Sequence, residues 1–150
     1  MAFAENTTVP PEKTKGEIEA LVTKYGATHY GTANAPGAAA ITFVASGRMV
    51  RFALPLPSRQ ETKDRLKKTV ARWRWSAVPD QIADEAAHQE VRRRWRCLLL
   101  AIKSKLEVVA TGIETFEEAF LANIVTSDNM TVWERLKVEE SGVKLLEASK

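Results

Sequence analysis

The spacing of apolar and polar positions divides the chain into three regimes. Near the start, Ile18, Leu21, Val22 and Tyr25 fall on one face of a helical wheel. That spacing predicts a helix from near Lys13 to just before Gly26, where glycine offers a C-terminal stop. A period of two then takes over. Residues 39–45 place Ile41 and Phe43 on one side, and residues 48–54 do the same for Val50, Phe52 and Leu54. Ser46-Gly47 between them is tight-turn chemistry, and Asn34-Ala-Pro-Gly37 is another turn. With a shorter mixed run at 28–33, residues 27–54 predict a three-stranded antiparallel meander, ended by Pro55 and Pro57, which cannot donate to a ladder.

The third regime is helical again. Over 80–110, Val91, Trp95, Leu98, Ile102, Leu106 and Val109 form one narrow stripe with Leu99 at its margin. Asp80 or Ser76 is the candidate cap, and Gly112 marks the end. Cys97 and Leu100 point away from the stripe. Thr115-Phe-Glu-Glu118 and Thr131-Val-Trp-Glu134 each match a capping box and open short helices, the first carrying Phe116 and Phe120, the second Trp133 and Leu136. Residues 55–80 lack clear periodicity, although a short helix around 63–73 is compatible with them. The expectation is an α+β fold: helix, three-stranded antiparallel sheet, long basic loop at 55–80, long amphipathic helix packed on the sheet, then short C-terminal helices. Residues 1–13, polar and containing Pro10-Pro11, read as a flexible N-terminal arm, and 14–150 as a single domain.

Composition fits this picture. A chain of 150 residues that is 45% hydrophobic can bury one core. No apolar run approaches the roughly 20 residues of a membrane span, and the first residues lack the pattern of a secretory signal. The single cysteine, Cys97, rules out an intramolecular disulfide and reads as a buried, inert thiol. The expected setting is a reducing intracellular one, the cytoplasm.

Charge adds the functional clue. The formal net charge is +3, but residues 48–105 hold fifteen Lys or Arg against six acidic residues, while 106–150 hold four against nine. A basic middle beside an acidic end points to an anionic partner. Within that middle, Arg72-Trp-Arg-Trp75 sets guanidinium groups beside two aromatic rings, which is what single strands need for phosphate contact and base stacking. Lys67 and Lys68 precede it. Arg92-Arg-Arg-Trp-Arg96 adds four guanidinium groups over little more than a helical turn. Arg51 extends the set toward the sheet. The nucleic-acid-binding candidates are therefore Arg51, Lys67, Lys68, Arg72, Trp73, Arg74, Trp75, Arg92, Arg93 and Arg96. The structural alternatives are that Trp73 and Trp75 pin the loop to the domain, and that the 92–96 arginines flank a packed stripe. Trp95 lies on that stripe and reads as core.

Catalytic chemistry is poorly represented. His29 and His88 lie in different elements, and Asp84 with His88 supplies two ligands at most. The pairs Glu117-Glu118 and Glu139-Glu140 are sequence neighbours that diverge on a helix. No phosphate-binding glycine loop or nucleophile elbow is present. The balance leans away from an enzyme, with no catalytic residue, cofactor or metal assigned.

Two stretches carry a resemblance. Gly47-Arg-Met-Val-Arg-Phe-Ala-Leu-Pro-Leu-Pro57 and Arg92-Arg-Arg-Trp-Arg-Cys-Leu-Leu-Leu-Ala-Ile-Lys-Ser-Lys-Leu-Glu107, continued by 112–125, resemble a family of small uncharacterised proteins of bacteriophage and prophage genomes. The resemblance implies a phage or prophage origin and brings no activity with it. By element order alone the chain is also similar to double-stranded-RNA-binding domains and to ring-forming single-strand annealing proteins of recombination. The functional expectation is a phage nucleic-acid-binding protein that binds or anneals single-stranded DNA, with homo-oligomerisation compatible and no membrane partner. The alternative is a small phage effector that binds and inhibits a host protein without catalysis.

Overall fold

A computed structural model describes residues 2–138; the Glu139-Glu140 pair lies outside the described residues. Helix α1 (Pro11–Lys24) starts earlier than the periodicity indicates, because Pro11 suits the first helical position, whose amide needs no partner. Gly26, at φ 96°, turns the chain into strand β1 (His29–Ala35). β1 is followed by β2 (Ala38–Ala45) and β3 (Arg48–Pro55), in the antiparallel order β1-β2-β3. The first strand runs two residues beyond its expected end. Asn34 and Ala35 pair with Ala39 and Ala38, which leaves only Pro36 and Gly37 (φ 76°) for the turn. Ser46 and Gly47 both adopt positive φ, the form whose twist matches a two-residue hairpin.

The strand alternation places its apolar residues inward. Ile41 and Phe43 of β2 and Val50 and Phe52 of β3 meet Ile18 and Val22 of α1 in one core. Helix α3 (Asp80–Ala110) contributes Trp95, Leu98, Ile102 and Leu106, so the predicted stripe is the buried one. Leu100 points outward, 47% exposed. α3 is capped differently from expectation. Pro79 holds the N-cap position and no side chain bonds there, so neither Ser76 nor Asp80 caps it. Short helix α4 (Phe116–Phe120) closes the core with Phe120, edge-on to Phe43 and Phe52. Helix α5 (Val132–Val138) follows, and both capping boxes form as the spacing indicated.

The segment 55–80 is a correction. It is not a long loop. It contains helix α2 (Arg59–Thr69) and a single 3-10 turn at Ala71–Trp73. At 1.5 Å per residue, the 31 residues of α3 span about 46 Å. The sheet strands have 7 to 8 residues, about 25 Å. α3 therefore overhangs the sheet, and its first turns need another cover. α2 provides it. Leu66 packs on Val78 and Ala83, with Trp73 and Ala86 at the margin. The α+β architecture stands, with α2 inserted between sheet and long helix. No helix among the described residues is long and apolar enough to cross a membrane.

Candidate nucleic-acid interface

The basic residues of the middle separate into those held by the fold and those left to solvent. α3 holds most of the first group. Arg92 donates to the Thr7 carbonyl and to Gln89. Arg93 donates to the Phe3 carbonyl and pairs with Glu90 at 3.5 Å. Arg94 bridges Glu90 and the Pro55 carbonyl. Arg96 reaches across to Glu17 and Thr14 of α1. These groups bind the N-terminal arm and α1 to α3. The sequence expectation gave Arg92, Arg93 and Arg96 to phosphates, and the structure gives each an internal partner. Arg51 is likewise engaged, donating to Asn129 at 3.1 Å and lying 3.4 Å from Glu134.

α2 divides along its length. Its first turns face α3: Arg59 grips Asp84 through two nitrogens at 2.8 Å and reaches Asp80 at 3.3 Å, and Lys63 bonds Asp80. The Lys63 hydrogen bond, helped by the Arg59 charge, holds the Asp80 carboxyl below its ordinary range. The Arg59 bond does the same for Asp84, with burial opposing it. These carboxylates are committed to structure, and among the described residues no group of three or more His, Cys, Asp or Glu side chains could hold a metal ion.

Beyond those first turns the cations are free. Among the described residues, Arg65, Lys67, Lys68 and Arg74 make no ion pair, and all are exposed. Lys67 and Lys68 sit in the last turn of α2, where the partial negative charge of the helix end favours them even without a ligand. The 3-10 turn then resolves the two tryptophans. Trp73 is half-buried against the Leu66–Val78–Ala83 cluster, and the Arg72 guanidinium lies 4.8 Å over its ring. Trp73 pins the segment. Trp75, two residues on, is 92% exposed. The segment 67–75 thus presents the exposed side chains of Lys67, Lys68, Arg72 and Arg74 together with one indole standing in water.

The residue missed by sequence reasoning is Arg65, which lines a groove of about 240 Å³ with Arg93, Glu5 and Glu90. Once α2 is drawn as a helix, Arg65 falls three residues before Lys68 and on the same side of it. The element-order analogy to double-stranded-RNA binders has a physical obstacle. The start of α3, where phosphate-binding cations would stand, carries Asp80 and Asp84, and the arginine cluster lies more than ten residues further along. No protein-family model matches the chain, and neither a curated protein nor a solved structure matches it at a significant level.

Proposed function

We propose that the protein binds single-stranded DNA through the last turn of α2 and residues 71–75, in phage or prophage DNA metabolism. The observation that carries this reading is Trp75, 92% exposed and flanked by free cations. A covered tryptophan ring removes about 150–250 Å² from water. At about 25 cal/mol per Å², leaving it uncovered forgoes about 4–6 kcal/mol. An indole held out on a turn anchored by Trp73 is a stacking platform, and every unpaired base has a face to lay on it. Lys67, Lys68, Arg72 and Arg74 would neutralise the phosphates on either side. A duplex buries its base faces, so the same surface favours single strands. Annealing, the finer form of this reading, requires two strands to be held at once.

Anisotropy of a labelled oligothymidylate tests the proposal. Trp75→Ala should raise Kd roughly 5- to 150-fold, the equivalent of about 1–3 kcal/mol for one stacked base. Unchanged affinity in a folded variant excludes Trp75 as the platform. Exposed Trp and Arg are also the residues that dominate protein–protein hot spots, which favours the second reading, a host-protein ligand. In that case the purified protein ignores oligonucleotides and retains a host protein in a pull-down that Trp75→Ala abolishes.

A further inference from the structure

The two edges of the sheet are treated differently. The edge of β3 is closed. Its outward carbonyls accept hydrogen bonds from the Val125 amide (at Met49), the Asn123 side chain (at Arg51) and Arg94 (at Pro55). Val50 bridges Ile124, and Pro55 brings no amide at all. Open edges template pairing with another chain, and proteins that remain apart guard them with charge, proline, bulges or cover.

Among the described residues, β1 has none of these guards. His29–Ala35 reads His-Tyr-Gly-Thr-Ala-Asn-Ala, without Lys, Arg, Asp, Glu or Pro. The one irregularity, the Thr28 amide on the Val44 carbonyl, precedes the strand. The Leu56 amide bonds the Gly37 carbonyl, which fixes the phase of the ladder: odd residues of β2 bond β3 and even ones bond β1. Through the register His29↔Val44, the odd residues of β1 are consumed by β2. Tyr30, Thr32 and Asn34 turn their amides and carbonyls outward, and among the described residues nothing bonds them.

We infer that this edge pairs with the β1 edge of a second copy, antiparallel about a two-fold axis at Thr32, to form a continuous six-stranded sheet. Three observations select this occupant. The outward groups are self-complementary: Thr32 faces Thr32 of the second copy, and Tyr30 faces its Asn34, each pair exchanging both bonds. The strand carries no charge that would repel its own image. The other edge is occupied, so head-to-tail pairing of β1 on β3 is blocked and the assembly closes as a dimer instead of growing into a ring or fibre. This inference does not depend on nucleic-acid binding.

Light scattering on the full chain should give twice the 16.7 kDa of one chain at micromolar concentration. Thr32→Pro removes an outward amide that β2 does not use, and Thr32→Lys places a charge at the symmetric centre. Each should yield a monomer with an unchanged circular-dichroism spectrum, and either result suffices if the other variant does not fold. Register is read separately in a Cys97→Ser background. Thr32→Cys should cross-link on mild oxidation, and Asn34→Cys, which faces Tyr30 of the second copy, should not. A monomeric wild type, or a dimer indifferent to both Thr32 substitutions, overturns the proposal. Cross-linking at position 34 and not at 32 overturns the register.

Discussion

The four tryptophans have different environments and so different predicted sensitivities. Trp95 is 2% exposed on the buried stripe of α3, with the Lys15 ammonium 5.1 Å from its ring. Trp95→Ala should cost about 3–5 kcal/mol, read as a large fall in denaturation midpoint. Trp75→Ala, at a ring almost wholly in solvent, should change stability by no more than about 0.5 kcal/mol while altering ligand affinity. Thermal melts of both variants beside the wild type check the contrast. The role of Trp95 was legible because its period with Leu98 and Ile102 is helical. Trp73 and Trp75 were not separable, since both stand in a segment without period and only the fold shows that Trp73 meets Leu66 and Val78. The internal ties of the 92–96 arginines were not legible for a related reason. Their partners, Phe3, Thr7 and Glu17, are some eighty residues away in sequence, and local charge counting does not see them.

At the scale of elements, α2 is the instructive case. Apolar periodicity hardly registers in Arg-Gln-Glu-Thr-Lys-Asp-Arg-Leu-Lys-Lys-Thr, where Leu66 is the sole large apolar residue. The legible signal was the cap. Ser58 accepts from the Glu61 amide at 3.1 Å, and Glu61 accepts from the Ser58 amide at 2.9 Å, the same box correctly read at Thr115 and Thr131. Ser58→Ala should destabilise by about 1 kcal/mol and raise hydrogen exchange first in α2. Acid should act on the same element. Asp80 and Asp84 have folded pKa values below their unfolded ones, so the stability they supply is complete above the ordinary carboxylate range. It is lost as pH falls through the depressed folded values. Melts between pH 5 and pH 2 should show a fall that Asp84→Asn flattens. No flattening would mean that the Arg59–Asp84 grip contributes nothing to α2 docking.

For the whole molecule, the hydrophobic pattern was enough to place the meander, the long helix and the closing capped helices, because each rests on local chemistry. Charge was legible only as a block. The block of fifteen cations in 48–105 does not act as one surface. Much of it ties arm, helices and sheet together, and the free part, Lys103 apart, gathers between Arg65 and Arg74. The functional claim therefore narrows to one end of α2 and the turn beyond it. The salt dependence of oligothymidylate binding tests that claim most directly. Each phosphate contact on a single strand adds about 0.7 to the slope of log K against log salt. The account predicts that Arg72→Ala with Arg74→Ala lowers the slope by about 1.4 and that Arg92→Ala leaves it unchanged. A slope that the double substitution does not move, or that falls instead with Arg92→Ala, would contradict it.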